Sequence, residues 1–449
     1  MSDNASHDSF FALHHGLPRQ GPGSDTTTRR LLSLAGPLPA RPRVLDLGCG
    51  PGRSALLLAA EAGAEVTAVD THEPFLAQLR ESAAARGLDG SNPGSGSVRE
   101  DGGSVREDGG SVHENGGSAR GDGGSIRALR ADMGALPFPD GSFDLVWAES
   151  SVFVLGFDRA LAEWRRLLAP GGTLVLTECV WTTGEPGPAA RAFWEEHYPL
   201  RTVTGNAAAA VAAGYHVLGT FLQPEGDWDE YYGPLAARAE AADAGVPGMA
   251  EAVAAARAEI ALRRAHGSDY GYAGFVLRPA DPRWRTRPEA PGEEAEVRRV
   301  ETAAFGSEAE ADLVDALRAD PDAWLPGLSY VAEAPDGTVA AHALISRCRV
   351  AGAPAAALAP VAVAPEHQRT GAGQAVVRAV LDAARLRGET LVLVLGHPEY
   401  YPRFGFERAS AYGIRPGFEV PDEAMRALVL DDSAPVPAGA LAYPAAFGV

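Results

Sequence analysis

The chain has 449 residues, a hydrophobic fraction of 46% and a formal net charge of −20. This length predicts two or three domains with enough apolar material for packed cores. The acidic balance argues against nucleic acid or an anionic membrane as a main partner. All 39 basic residues are arginine, which excludes a catalytic lysine, and the three cysteines form no CxxC pair that would suggest a zinc site or a disulfide framework. No leader or long apolar span is visible, so we expect a cytoplasmic protein that acts on small molecules without a metal.

The first 40 residues contain a Gly- and Pro-rich stretch followed by an apolar helical run. Ser24 or Asp25 is predicted to cap that helix. The segment before it either folds over a cofactor as a lid or is a plain extension, and the sequence leaves both alternatives open.

The stretch Val44–Gly52 predicts a buried parallel strand, a tight glycine turn and a helix. A dinucleotide site requires G-x-G-x-x-G, because pyrophosphate sits on the helix N-terminus. Here the spacing is G-x-G-x-G, and Asp46 precedes it, which suits a cationic ligand that bears an amino acid. The next strand, Glu65–Val69, ends at Asp70, where an acid commonly binds the ribose hydroxyls of a nucleoside. That position fits S-adenosylmethionine (SAM) and NAD equally.

A seven-residue Gly-rich unit recurs within residues 90–126. With one small apolar residue per unit, it cannot bury enough surface to offset chain entropy, so we expect a disordered insertion. A calcium-binding β-roll is the alternative, but its period is nine and the mismatch counts against it.

After the insertion, the pattern alternates between strands and a helix. The predicted strands are Ile126–Arg130, Leu145–Ala148 and Thr173–Thr177, and the predicted helix is Arg159–Leu168. Glu149 and Glu178 follow adjacent strands at the same sheet edge, and we expect them in the substrate site.

The order of these elements from Val44 to Glu178 resembles the class I SAM-dependent methyltransferases. The stretches A-D-M…L-P-F-P-D-G-S-F-D-L-V and L-L-A-P-G-G-T-L carry the resemblance together with the glycine turn. It implies a Rossmann-like doubly wound domain whose turn binds SAM. The implied cofactor residues are Asp46, Gly48, Gly50 and Gly52 for the methionine part, Asp70 for the ribose, and Asp132 with Met133 for the adenine.

Residues 179–278 are rich in Trp and Tyr and are expected to complete this domain. Their rings would suit a planar methyl acceptor, but packing in the core is the favoured interpretation for any one of them.

A Pro- and Arg-rich stretch predicts a domain boundary, with the first domain over 1–278, a linker over 279–283 and a second domain over 284–449. The second domain is predicted to begin with a strand at Trp284–Arg287. Two amphipathic helices and several strands follow.

A strand at Ala357–Val363 leads through Q-x-x-G-x-G into a long helix. This turn presents backbone N–H groups at a positive helix end, which forms a pyrophosphate cradle, and Arg369 adds charge. The next predicted strand is Leu391–Leu395.

This segment and the later Y-x-R-x-G-F ending resemble the GNAT N-acetyltransferases. The resemblance implies that Tyr401 protonates the departing CoA thiolate, although packing against the last strand is the alternative. No general base is evident, since Glu366, His342 and His367 are better explained as surface or core residues. The residues implied to bind acetyl-CoA are Val361, Val363, Gln368, Arg369, Thr370, Gly371, Ala372 and Gly373.

Together these patterns predict an α/β protein with a Rossmann-like doubly wound methyltransferase domain and a separate GNAT domain with a mixed, splayed sheet. The predicted function is methyl transfer from SAM to a small molecule and acetyl transfer from acetyl-CoA to an amine. The alternative is that only one domain is active and the other senses a cofactor or acts as a scaffold. An NAD-dependent oxidoreductase is disfavoured by the glycine spacing.

Overall fold

The computed structural model describes residues 9–90, 123–431 and 434–448. These residues form two separate sheets, of eight and nine strands. Residues 91–122, most of the predicted insertion, lie outside the described residues. The prediction is wrong at its C-terminal end, because Ser125 already belongs to a strand and pairs with Glu65.

The first sheet is built from residues up to 279. Its strands are β1 Arg43–Leu47, β2 Glu65–Asp70, β3 Ser125–Arg130, β4 Phe143–Ala148, β5 Leu168–Trp181, β6 Arg201–Thr202, β7 Tyr215–Leu222 and β8 Tyr270–Pro279. A helix α1 covers residues 9–14. The other helices of this part are α2 Asp25–Leu34, α3 Arg53–Ala62, α4 Glu73–Ala85, α5 Phe157–Trp164, α6 Pro188–His197, α7 Val203–Ala212, α8 Gly226–Ala241 and α9 Met249–His266.

The strand order is β3-β2-β1-β4-β5-β8-β7, with β6 beside β5. The first five strands in this order run parallel, and β8 is antiparallel to both of its neighbours. Alternate residues of β1 enter opposite cores: Leu45 packs with Trp164 of α5, whereas Val44 packs with Leu58 of α3. This is a doubly wound Rossmann-like sheet, whose carboxyl edge is where such folds bind ligands.

Strand β5 is much longer than the predicted Thr173–Thr177. Its ends pair with Phe143 of β4 at Leu168 and with Tyr270 of β8 at Trp181, so the neighbouring strands extend it on both sides. The preceding helix is correspondingly shorter and ends at Trp164.

The second sheet uses residues from 285 onwards. Its strands are β9 Arg285–Pro288, β10 Trp324–Glu333, β11 Val339–Val350, β12 Ala353–Val363, β13 Leu391–Leu395, β14 Glu407–Arg408, β15 Ile414–Arg415, β16 Met425–Val429 and β17 Gly439–Ala442. Its helices are α10 Glu294–Phe305, α11 Ala309–Ala319 and α12 Ala372–Leu386.

The second sheet is mixed and opens in the middle. Its order is β14-β16-β13-β12-β11-β10-β9. The parallel strands β12 and β13 pair at only two positions, where Ala356 lies opposite Val392 and Ala357 lies opposite Leu393. Their later residues diverge. The predicted splay is therefore present, and it creates a gap beside the end of β12. Helix α12 packs on one face of the sheet, and α10 with α11 packs on the other.

The two parts of the chain are joined by α12, which contacts α7 and β7 of the first part. Asp382 of α12 accepts hydrogen bonds from the backbone N–H of Val217 (2.9 Å) and from the His216 ring. Arg385 donates to the Val217 carbonyl (2.8 Å). The link is polar and buried.

No helix in the described part of the chain combines the length and the apolarity that a bilayer crossing requires.

Candidate cofactor and acceptor sites

The glycine turn after β1 is held in a left-handed backbone conformation, with φ of 65° at Gly48, 52° at Gly50 and 84° at Gly52. The carboxylate of Asp70 stabilises it, because Oδ2 accepts from Gly50 N–H (2.9 Å) and Oδ1 accepts from His72 N–H (2.8 Å). Each oxygen retains a further lone pair, so Asp70 can still accept from a ligand hydroxyl.

Asp46 is buried beside this turn with an unpaired oxygen. Its side chain is 2% exposed, and Oδ2 has no hydrogen-bond partner among the described residues. Burial, reinforced by the negative charges of Glu149 and Asp70, raises the pKa of Asp46 to about 8. A cationic ligand group at Oδ2 would supply the missing partner and favour the charged form. This unpaired oxygen fits the ammonium group of SAM.

The glycines of the turn have different roles. A Cβ on Gly48 would lie 2.5 Å from the Ser151 side chain and 3.0 Å from Met133. These two residues, which lie around the expected cofactor, therefore leave no room for a side chain at Gly48. A Cβ on Gly52 would lie 2.1 Å from Leu79 of α4. The lack of a side chain at Gly52 therefore allows α4 to pack closely, and this contact is with protein. Asp132, which was predicted to lie beside the adenine, accepts from the backbone N–H of Gly134 (2.8 Å).

The N-terminal segment lies directly on the glycine turn. Gln20 Cγ is 3.1 Å from the position of a Cβ on Gly50, and Ser150 Oγ donates to the Pro22 carbonyl (2.9 Å). Phe11 stacks on His72 with ring centroids 4.0 Å apart. The cavity that remains between this segment and the turn has a volume of about 50 Å³, and Asp70, Asp132 and Met133 do not line it.

Glu149 anchors that segment and lines the small cavity between the segment and the turn. It accepts hydrogen bonds from four side chains, and this explains its burial. The donors are Arg19 Nη1 (3.2 Å), Thr28 Oγ1 (2.8 Å), Ser54 Oγ (3.0 Å) and Trp147 Nε1 (2.9 Å). We therefore do not include Glu149 in the acceptor site that we propose below.

Glu178, by contrast, lines a pocket of about 300 Å³ together with Tyr198, Arg201 and Asn206. It is 2% exposed, and burial raises the pKa of Glu178 to about 7. Tyr198 Oη donates to Glu178 Oε2 (3.2 Å). Glu178 lies two strands from β1 in the sheet, at about 5 Å per strand, and no residue of the glycine turn lines its pocket.

Most aromatic residues of the stretch 179–278 are packed in the interior of the protein. Five of them share one buried cluster with α1, α8 and α9: Trp228, Tyr231, Tyr232, Tyr270 and Tyr272. This is the packing role that the sequence favoured.

The second glycine turn begins α12. Gly371, with φ of 104°, is the N-cap and no side chain caps the helix, so the first-turn N–H groups face outwards. Arg369 is also left-handed, with φ of 62°. The turn borders a cleft of about 1010 Å³. Val361 and Val363 pair with β11 on one side, and beyond Ala357 no described strand pairs with their other edge.

Two tyrosines line this cleft. Tyr401 lies in a short 3₁₀ turn, Tyr401–Phe404, and is 8% exposed. Burial raises the pKa of Tyr401 to about 12, so the phenol stays protonated at neutral pH. Its ring lies 2.2 Å from the position of a Cβ on Gly396. Tyr400, which sequence reasoning did not select, lies nearer to the turn, with Oη 3.0 Å from the position of a Cβ on Gly373.

None of the three histidine and glutamate candidates for a base lines the cleft. His342 is fully buried, with Nδ1 2.6 Å from Glu301 and Nε2 2.9 Å from Ser329. His367 packs edge-on against Trp284. The cleft is instead lined by Glu310 and Phe305, which the sequence did not indicate because they belong to helices outside both motifs.

No cluster of three or more His, Cys, Asp or Glu side chains within residues 9–90, 123–431 and 434–448 is arranged to hold a metal ion.

Comparison with known families gives matches in both parts of the chain. Two family models described as "Methyltransferase domain" match residues 44–99 and 111–176. A model described as "Acetyltransferase (GNAT) family" matches residues 295–406.

Individual relatives are likewise either acetyltransferases or methyltransferases. The uncharacterized N-acetyltransferase YjhQ of Escherichia coli is 40% identical over 134 residues, which are 29% of this chain and 73% of that protein. Demethylmenaquinone methyltransferase of Thermus thermophilus is 37% identical over 143 residues, which are 30% of this chain. The match spans only 46% of the Thermus enzyme. A solved structure of the GNAT protein YhbS from Escherichia coli, with 29% identity, covers 38% of this chain and 97% of that chain at a TM-score of 0.35.

The C-terminal part of the chain therefore belongs to the GNAT family of N-acetyltransferases, and the N-terminal part carries a methyltransferase domain. Both predicted families and both predicted folds are confirmed. The chain is thus a two-domain transferase.

Proposed function

We propose that the chain is a bifunctional enzyme, which transfers a methyl group from SAM to a small molecule and an acetyl group from acetyl-CoA to an amine. The first activity belongs to residues 1–278 and the second to residues 284–449, with 279–283 as the linker. One observation supports both halves: each sheet has its own glycine turn, at Gly48–Gly52 and at Gly371–Gly373, where a strand of the sheet leads into a helix.

In the methyltransferase half, Asp46 binds the ammonium group of SAM through its unpaired Oδ2, beside Gly48 and Gly50. Asp70 accepts from the ribose hydroxyls, and Asp132 with Met133 borders the adenine. The sulfonium methyl group is already activated, so holding the acceptor in line can supply much of the rate. Where the acceptor loses a proton, Glu178 takes it, because a carboxyl with a pKa of about 7 is poised to do so near neutral pH.

In the acetyltransferase half, the N–H groups of Gly371, Ala372 and Gly373 bind the diphosphate of acetyl-CoA with help from Gln368, Arg369 and Thr370. The free edge of Val361 and Val363 pairs with the pantetheine arm. Tyr401 donates its phenolic proton to the thiolate that leaves, which lowers the barrier to breaking the thioester bond.

The alternative is that the methyltransferase half only senses a cofactor or acts as a scaffold, and one observation favours the scaffold. The N-terminal segment leaves a cavity of only about 50 Å³ at the first glycine turn. A segment that never leaves the turn would exclude SAM, whereas a lid would move.

Thermal shift measurements on the full chain separate the bifunctional enzyme from the scaffold alternative. We expect SAM, S-adenosylhomocysteine and acetyl-CoA each to raise the melting temperature, because a ligand at a hundredfold excess over its Kd stabilises by about 2.7 kcal/mol. NAD should have no effect. Stabilisation by acetyl-CoA alone would support the alternative, and stabilisation by neither donor would contradict the proposal.

Donors carrying isotope-labelled methyl and acetyl groups, incubated with a bacterial metabolite extract, would then identify products by their mass shifts. A labelled methyl product establishes the first activity, and a labelled acetyl product establishes the second.

A further inference from the structure

The acetyltransferase cleft has two ends of opposite charge. At one end lie the first turn of α12, Arg369 and Arg403, whose guanidinium group lies 4.6 Å from the Tyr400 ring centroid. At the other end, the corner between α10 and α11 faces the end of β13. The diphosphate belongs at the basic end, so the acetyl acceptor enters from the α10–α11 corner.

Glu310 is the one carboxylate that lines this cleft within the described residues. Only Ser307 Oγ donates to it, at 3.0 Å from Oε2, and no described arginine forms an ion pair with it. Its neighbours behave differently. Arg298 forms ion pairs with three other acids in or next to α11, which are Glu308 (3.1 Å), Asp312 (2.6 Å) and Asp315 (2.9 Å). Glu310 is therefore left with its charge directed into the cleft.

Two large apolar side chains flank the same end of the cleft and remain accessible to solvent. Phe305, at the end of α10, is 45% exposed, and Leu395, at the end of β13, is 42% exposed. Leu313, one helical turn after Glu310 on α11, lines the same cleft. Accessible apolar side chains grouped around a polar residue are typical of a ligand-binding surface.

We propose that the acetyl acceptor is an amphipathic primary amine, whose ammonium group binds the Glu310 carboxylate and whose apolar body lies between Phe305 and Leu395. This inference rests on the proposed acetyltransferase activity and names its substrate class. Polyamines and highly charged acceptors are excluded, because the cleft offers them one carboxylate and an apolar wall.

The proton balance of the transfer can be assigned to the residues of the cleft. Glu310 accepts one proton from the ammonium group and releases it to solvent. The amine nitrogen then forms its bond to the thioester carbonyl carbon, and the carbon–sulfur bond breaks with its electron pair on sulfur. Tyr401 gives its proton to that sulfur and regains one from the acetylated nitrogen. The net products are an amide, a thiol and one proton.

The test compares amines at saturating acetyl-CoA, with release of the free thiol as the readout. The probes are 2-phenylethylamine and octylamine as amphipathic amines, with ethylamine and spermidine as comparisons. We expect kcat/KM for the amphipathic pair to be at least tenfold higher. Equal or higher values for spermidine, or no turnover of either amphipathic amine by protein that binds acetyl-CoA, would overturn the inference.

Matched variants locate the contact. Glu310→Gln should raise the KM for 2-phenylethylamine at least tenfold and leave the Kd for acetyl-CoA unchanged. Glu308→Gln, two residues away and 71% exposed, should change neither. Phe305→Ala should raise the KM for 2-phenylethylamine by a larger factor than the KM for ethylamine. An unchanged KM in Glu310→Gln would overturn the inference while leaving the acetyltransferase proposal intact, whereas a parent protein that fails to bind acetyl-CoA would overturn both.

Discussion

His216 Nδ1 lies 2.8 Å from Asp382 Oδ2, and this contact joins a strand of the methyltransferase sheet to the central helix of the acetyltransferase domain. Both side chains are buried, with 9% and 5% of their surface exposed. The other Asp382 oxygen accepts from the backbone N–H of Val217. Buried polar groups of the two domains therefore hydrogen-bond to each other.

We predict that Asp382→Ala lowers the melting temperature of the full chain. It leaves the Val217 N–H and the His216 ring without their acceptor, at a cost of about 2 kcal/mol, which corresponds to a shift of about 4–8 °C. Scanning calorimetry measures this shift. The control is Asp422→Ala, because Asp422 is 51% exposed in a loose pair with Arg408. Equal melting temperatures for the two variants would contradict the prediction.

We predict that Asp70→Ala abolishes SAM binding. The substitution removes the proposed ribose acceptor and also releases Gly50 and His72, whose N–H groups it holds. Isothermal titration calorimetry with SAM should show at least a hundredfold loss of affinity. Acetyl-CoA binding by the same protein is the internal control, since its site lies on the other sheet. Unchanged affinity for SAM would refute the assignment.

The pKa of Asp46, which burial raises to about 8, predicts that SAM binding releases protons. Below pH 8 the free carboxyl is largely protonated, and the ammonium group favours the carboxylate, so affinity should rise between pH 6 and 7.5. Calorimetry of S-adenosylhomocysteine binding in buffers of different ionisation enthalpy measures the proton release. Binding without proton release across this range would argue against contact with Asp46.

Glu178 should make the chain less stable as the pH rises. Its folded pKa of about 7 exceeds the ordinary value of about 4.3, so its stabilising contribution is complete below pH 4 and is lost as the pH approaches and passes 7. The full loss is about 4 kcal/mol. Glu178→Gln should flatten the fall in melting temperature between pH 5 and 7.5, and a fall as steep as that of the parent would count against the assignment.

Tyr401→Phe should reduce kcat for acetyl transfer by about 10²-fold or more, the usual contribution of a positioned acid. The Kd for acetyl-CoA should change little, because the ring still packs beside Gly396. Tyr400→Phe is the neighbouring comparison. Normal turnover in Tyr401→Phe would remove its role, and a defect confined to Tyr400→Phe would transfer that role to the adjacent phenol.

The sequence was sufficient where a feature is local. The glycine turns at Gly48 and Gly371 follow from short patterns of strand, glycine and helix, and the splay after Ala357 follows from the resemblance to the GNAT family. It was insufficient where a side chain meets a distant partner. Glu149 is held by Arg19, 130 residues away, and Glu310 is available because Arg298 binds its neighbours. Spacing along the chain carries no information about such pairings.

Helix α12 has its first turn at the acetyl-CoA cleft and its last turns against β7. Cutting the chain near residue 280 to express the halves separately would therefore leave a carboxylate and a guanidinium facing water on one fragment and bare strand groups on the other. The N-terminal fragment would expose β7 as an uncovered edge strand, which can pair with other chains, so aggregation of that isolated half would say nothing about whether it is an enzyme.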